Sequence, residues 1–269
     1  MTSDGQLAAA LDDAFPRYRE IAANLLPGVE LRVASINDAG ALDRFNESIV
    51  SVGPPGHFMR QDTSFFEAKL SAPETEILLL CGGSAGLFGY SVLALCSHAQ
   101  HPFAPSPLFQ DDILRIGILF GTALDPKVRG RGLQRLCVNL RLRAIGKTGR
   151  AVVQATASPR NDISLRNMMA CGFGVIGAAE LLDGHPRFIV EASARDGLPG
   201  WGHLDDTTAF YDEVMVPFLD FAGNRSRMTS GNLPTGWVDS ADGLCLVYRE
   251  EKEWMPMPSR ATANVSTPS

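Results

Sequence analysis

The stretch Leu124 to Leu140, LDPKVRGRGLQRLCVNL, constrains this chain more than any other. Two glycines within four residues, Arg129-Gly130-Arg131-Gly132, permit a sharp backbone turn that residues carrying a Cβ resist. After it, Leu133, Leu136, Cys137, Leu140 and Ala144 recur at i, i+3, i+4, i+7 and i+11, one face of an amphipathic helix. Before it, Arg115 to Leu124, RIGILFGTAL, is a short apolar run that reads as a buried strand, with Gly121 marking a bulge. The unit is strand, glycine turn, helix. Such a turn leaves the first helical N–H groups uncovered, and the positive end of the helix dipole favours an anion there. Eight basic residues and no acidic one lie from Lys127 to Arg150, in a chain of formal net charge −6, so positive charge is concentrated here.

Three kinds of phosphate-binding turn can be weighed against these residues. A dinucleotide fingerprint needs a third glycine where Arg135 stands and an acid about twenty residues on, where Ala151 to Arg160 offers none. A P-loop at Gly146-Lys147-Thr148 lacks its first glycine, because Arg141 stands there, and it follows a helix instead of a strand. The third pattern fits. Leu124-Asp125-Pro126-Lys127-Val128-Arg129-Gly130-Arg131-Gly132-Leu133 resembles the Val/Leu-x-Pro-x-x-Arg-Gly-x-Gly-Leu signature of the GNAT superfamily of acyl-coenzyme A-dependent N-acyltransferases. Downstream, Asn161-Asp162-Ile163-Ser164, then Asn167 and Met168, then Gly172-Phe173, resembles that superfamily's Asn-x-x-Ser helix and its Gly-Phe ending. The hairpin Gly177 to Val190, turning at Asp183-Gly184, is similar to its closing strands.

The resemblance implies an α/β fold, a mixed and mostly antiparallel twisted sheet flanked by helices, over about residues 29–192. Around it the sequence places an N-terminal helical extension, 1–28, a C-terminal helix and strand extension, 193–255, and a disordered tail, 256–269, poor in apolar residues. Residues 1–29 carry Leu7, Leu11, Phe15, Tyr18, Ile21 and Leu25 at helical spacing, read as one or two short helices with Pro16 at a start or break. Leu31 to Ala34 reads as a strand, Asp38 to Ser51 and Thr63 to Leu70 as helices. The uncharged run Ile77 to Ser97 is interrupted by Gly82-Gly83-Ser84-Ala85-Gly86, so it reads as a hairpin of buried strands and not as a membrane span. Ala151 to Thr156 is a further strand. Beyond the matched region, Phe210, Val214, Phe218 and Phe221 predict a helix over Thr207 to Phe221, and Leu244 to Tyr248 an extra strand.

Composition narrows the partners. An acidic chain with one short basic cluster is unsuited to an extended nucleic-acid backbone, and that cluster matches a single polyphosphate. Cys81, Cys96, Cys137, Cys171 and Cys245 form no C-x-x-C pair, which predicts buried thiols in a reducing compartment and no zinc site. His98 and His101 have metal-pair spacing only on a helix, which Pro102, Pro105 and Pro107 oppose. MTSDGQLAAALDD lacks a basic segment followed by an apolar core, so the expectation is a cytoplasmic protein without a membrane partner; homodimerisation is left open.

What the resemblance implies about chemistry is specific in one half and open in the other. Acetyl-CoA or another acyl-CoA is the implied donor, and an amine of a small molecule or peptide the acceptor, with no metal. Backbone amides from Arg129, Gly130, Arg131, Gly132, Leu133 and Gln134 are the implied pyrophosphate site, Leu124 guides the thioester arm, and Asn161 and Asn167 lie on the pantetheine side. Gln134 stands where glycine or alanine is usual. Many members place a proton-donating tyrosine four residues after the motif serine, but here that residue is Met168, and a thioether cannot donate a proton. The central strand Ile116 to Leu124 also lacks the usual carboxylate. Asn167, Glu67 and His57 are the catalytic candidates, with Asp112 or a water chain as other bases. The alternatives are an acyl-carrier-protein transferase or a decarboxylase of the same fold, or a binding module that has lost catalysis.

Overall fold

The computed structural model describes residues 5–55, 57–83, 86–97, 101–106, 112–181, 184–194, 213–230, 232–241 and 243–249. The predicted tail, 256–269, lies outside them, as do His98 and Asp183. In chain order come α1 (Gln6–Leu25), β1 (Glu30–Val33), α2 (Ala39–Val52), α3 (Thr63–Ser71), β2 (Thr75–Cys81), β3 (Leu87–Leu95) and β4 (Ile116–Leu124). Then follow α4 (Leu133–Lys147), β5 (Val152–Ala157), α5 (Asp162–Met169), β6 (Gly174–Leu181) and β7 (His185–Ser193). The described C-terminal part adds β8 (Glu213–Pro217), α6 (Phe221–Thr229), β9 (Gly236–Ser240) and β10 (Gly243–Arg249).

Seven strands form one sheet in the order β1-β2-β3-β4-β5-β7-β6, in which only β4 and β5 run parallel. The expected mixed, mostly antiparallel architecture is therefore present. Side chains of a strand alternate between faces, and the buried residues divide accordingly. Leu78, Leu80, Leu93, Leu119 and Val153 pack toward α1, α4 and α5, whereas Ile77, Leu79, Tyr90 and Val92 pack toward α2 and α3. The α4 face is the larger core, and it continues into Val216, Leu244 and Leu246 of the C-terminal strands and into Phe218 just after β8. Burying each leucine contributes about 1.5–3 kcal/mol, so these strands are held by the same apolar effect as the central sheet.

Two expectations need correction. The N-terminal segment is a single helix with Pro16 inside it. Proline removes one backbone hydrogen bond, but Leu7, Leu11, Phe15 and Ala22 are buried, and packing of α1 along α4 outweighs that loss. In the C-terminal part, 207–212 lie outside the described residues, and 213–217 are a strand where a helix was predicted. Pro217 would break a helix there, while Val214 and Val216 also fit a period of two; register with β10 places Val216 opposite Leu246. The helix starts only at Phe221, capped by Asp220 Oδ1 accepting from Gly223 N–H at 2.9 Å.

The entry to α2 is fixed by charge. Ser35 N–H donates to Asp38 Oδ2 at 2.7 Å, and Arg32 reaches the same carboxylate at 2.9 and 2.6 Å. The Arg32 hydrogen bonds, aided by Ser35 and opposed by partial burial, hold the Asp38 carboxyl at about 2, below its usual 3.8. A depressed carboxylate pKa stabilises the fold above the unfolded value and loses that contribution as pH falls through the folded one. The melting temperature of Asp38→Asn is therefore expected to lie below wild type at pH 7, with the gap closing between pH 3.8 and about 2. Thermal melts across that window check it; a gap independent of pH would exclude the ionic contribution.

Candidate functional site

The site begins where two strands part. β4 and β5 pair from Ile116↔Val152 to Leu119↔Ala155 and no further. β4 continues to Leu124 beside β3, and β5 continues to Ala157 beside β7, so from Phe120 onward the sheet opens into a wedge. A bulge in β4 lies at the same level. Ser91 of β3 faces Thr122 and Leu93 faces Leu119, which leaves Phe120 and Gly121 opposite the single residue Val92. The predicted bulge at Gly121 is present.

Arg141 holds this bulge. It sits on α4, only 2 % exposed, and donates from Nη1 to the Val92 carbonyl at 3.0 Å and from Nη2 to Thr122 Oγ1 at 2.7 Å. Its Nε returns to the Cys137 carbonyl at 3.1 Å. Burial pushes its guanidinium down to about 10, offset in part by Cys137 and Cys171.

Around the wedge lies a cavity of about 320 Å³, a size suited to a small ligand. Its lining joins both faces of the sheet: Tyr90, Phe65 and Lys69 with the α2 and α3 side, Gln134, Val138 and Met168 from α4 and α5. Tyr90 receives Asn46 Nδ2 on its hydroxyl at 2.8 Å, and burial, which outweighs that hydrogen bond, raises the phenol to about 12, so it stays protonated. Lys69 lies 4.0 Å from the Phe120 ring centroid, and burial lowers its pKa.

The glycine turn stands at the edge of this opening. Gly130 and Gly132 have φ of 75° and 80°, the left-handed region that the sharp turn requires. Arg129, Gly130 and Arg131 are exposed, and no acidic residue occupies the first turn of α4. The Leu136 N–H reaches the Gly132 carbonyl at 3.0 Å, so the amides of Leu133 to Arg135 precede the first i→i−4 bond. Arg129 is turned back, its Nε donating to the Leu124 carbonyl at 3.1 Å. Gln134 and Leu136 of α4 face different depressions. Gln134 lines the cavity, while Gly132, Arg135 and Leu136 line a second groove of about 840 Å³ between α1 and α4, with Arg17, Arg143 and Lys147.

The second motif is tied to the first through Gln134. Its Nε2 donates to Ser164 Oγ at 2.8 Å and its Oε1 accepts from Asn167 Nδ2 at 2.8 Å. Asn161 caps α5, with Oδ1 accepting from Ser164 N–H at 3.1 Å, and also lines the cavity. Asn161, Gln134 and Ser164 are thus brought together at the wedge, with Asn167 behind them. His57 lines the cavity, but Glu67 is exposed on α3 and lies outside the lining. Asp112 pairs with Arg115 at the far end of β4. Sequence reasoning missed Arg141 and Arg187; no local motif marks either, since their meaning comes from burial. Among the described residues no group of three or more His, Cys, Asp or Glu could hold a metal ion.

No family model matches the sequence, and no curated protein matches it. Solved structures with a similar chain path include the GNAT-family acetyltransferase from Streptococcus pneumoniae, 16% identical, covering 61% of this chain and 98% of that one at a TM-score of 0.46. The ribosomal-protein-S5-alanine acetyltransferase from Vibrio fischeri is 16% identical over 65% of this chain and 97% of its own, TM-score 0.48. AAC(6')-Ib in complex with ribostamycin and coenzyme A is 17% identical over 62% and 94%, TM-score 0.48. At these identities and scores the functional reading rests on the residues of the wedge.

Proposed function

We propose that this chain is a GNAT-type acyltransferase, which takes an acyl group, acetyl in the simplest case, from acyl-CoA to an amine. One observation carries the reading: the sheet's parallel pair, β4 and β5, parts after Leu119, and the cavity opened there is lined both by Leu119 and by Gln134 of the first turn of α4. A thioester arm has a strand edge to lie along, from Phe120 to Leu124, and a diphosphate has the uncovered amides of Gly132 to Gln134. The basic groove with Arg135 and Arg143 on the other side of α4 suits the nucleotide end. Gln134 fits this role without pointing at the phosphates, since its amide is spent on Ser164 and Asn167.

In the reaction a neutral amine attacks the thioester carbonyl, the C–S bond breaks, and the sulfur leaves as a thiolate that takes up a proton. Placing the two reactants together supplies much of the acceleration. His57, Tyr90 and Lys69 are lining groups able to move a proton, whereas Met168 is not. Asn167 acts through Gln134, as a positioning residue. Glu67 takes no part in this reading.

The buried Met168 supports a second reading, a module that binds acyl-CoA without turnover. Calorimetric titration with coenzyme A, then incubation of acetyl-CoA and malonyl-CoA with an amine panel while following free thiol and product mass, separates the two. Expected is binding in the micromolar range and thiol release that depends on the amine. Binding without release selects the module, carbon dioxide loss without amine selects a decarboxylase, and absence of binding removes the reading.

A further inference from the structure

Arg187 is 5 % exposed, lines the cavity, and its Nε is buried without a hydrogen-bond partner. A guanidinium in that condition is costly unless something anionic meets it. Its strand offers nothing. Arg187, Ile189 and Glu191 alternate with Phe188, Val190 and Ala192, which pack on the α4 side, so the arginine lies on the α2 and α3 face. Glu191 shares that face but is committed elsewhere, accepting from Ser106 Oγ at 2.9 Å and Gln154 Nε2 at 3.0 Å. Among the described lining residues the cavity holds Arg187, Arg141 and Lys69, and no aspartate or glutamate. A site meant for a cationic amine alone would be expected to hold a carboxylate; this one holds buried cations.

We infer that the cavity selects a substrate bearing a carboxylate, which Arg187 meets. The inference rests on the acyltransferase reading and names its substrate class. The same chemistry can arrive from two sources: the far end of a dicarboxylic acyl group on the thioester, or the carboxylate of an amino acid offered as acceptor. In either case the transfer step is unchanged. The amine nitrogen bonds to the acyl carbon, coenzyme A leaves as the thiol, and the substrate carboxylate remains intact as an anchor.

The test is a set of dissociation constants by calorimetry on the full chain. On the donor side succinyl-CoA is compared with butyryl-CoA; on the acceptor side, with coenzyme A present, glutamate is compared with glutamine and glycine with glycinamide. Expected is a preference of about tenfold or more for the carboxylate-bearing member on one side, the lower end of what a charge-assisted hydrogen bond contributes. In Arg187→Met the preference collapses to within about twofold, and Arg187→Lys keeps part of it. Removing an unpaired buried charge in favour of a similar apolar volume leaves folding intact, so the methionine variant remains readable. Equal binding on both sides, or a preference that survives Arg187→Met, overturns the inference while leaving coenzyme binding as it was. If coenzyme A fails to bind at all, the acyltransferase reading falls instead. Glutarate against glutaramide, titrated alone, then still decides the carboxylate site: a preference lost in Arg187→Met supports it, and equal binding overturns it.

Discussion

Replacing Arg141 with alanine is expected to destabilise the fold by about 3 kcal/mol. Two losses add. The Val92 carbonyl, stranded by the bulge and reached by Arg141 Nη1 at 3.0 Å, is left buried without that donor, which costs about 1–3 kcal/mol. The long side chain also leaves a void between α4 and the sheet, partly compensated because a desolvated cation is no longer buried. For a chain of this size such a loss lowers the melting temperature by about 6–12 °C. Arg141→Lys is the informative companion. A lysine carries the charge but cannot reach the Cys137 carbonyl, Val92 carbonyl and Thr122 hydroxyl at once from a planar fork. It should recover less than half of the stability, and the wedge it leaves should cost at least tenfold in turnover under folding conditions. Denaturant melts with urea, paired with the thiol-release assay, measure both. A lysine variant as stable and as active as wild type would show that the fork does not hold the bulge.

Arg141 also shows why part of the site could be read in advance and part could not. The helix face Leu133, Leu136, Cys137, Leu140 and Ala144 is legible because periodicity is a local property, and all five are buried. The turn is legible because glycine is the residue that adopts positive φ easily, and Gly130 and Gly132 both do. Charge is different. Eight basic residues from Lys127 to Arg150 suggest one positive patch, yet Arg141 is buried under the sheet, Arg143 and Lys147 face the groove beside α1, and Arg129 and Arg131 remain at the turn. Their spacing gives no hint of this division, which depends on the direction of each side chain around α4. Arg187 carried no signal at all, because its meaning comes from the acids that are missing around it. The helix expected over 213–217 failed for a further reason: Val214 and Phe218 satisfy a period of four, and Val214, Val216 and Phe218 a period of two. Pro217, which cannot sit inside a helix without losing a hydrogen bond, decides for the strand.

The largest expected effect on binding comes from Gly132→Asp, which should weaken coenzyme A by at least about a hundredfold. Gly132 is the N-cap of α4, with φ 80° and ψ 0°. Aspartate tolerates the left-handed region better than most residues, so the strain is held to about 1 kcal/mol. A Cβ there would meet only Leu25, at 3.8 Å, which is ordinary contact. The fold should therefore persist while a negative charge stands beside the N–H groups a diphosphate would use. A like charge at about 4 Å near a protein surface costs roughly 4 kcal/mol, and each tenfold in affinity is about 1.4 kcal/mol, so a hundredfold is a conservative expectation. Gly132→Asn separates charge from shape, since it shares the backbone preference but carries no charge. It should lose no more than about tenfold, with an effect insensitive to salt, whereas the aspartate penalty should shrink as ionic strength rises and screens it. Calorimetric titration of both variants at low and high salt reads the difference. Equal losses in the two would mean that shape, not charge, closes the site. Unchanged affinity in a folded Gly132→Asp protein would move the diphosphate away from α4, and with it the claim that the wedge beside Leu119 receives a thioester.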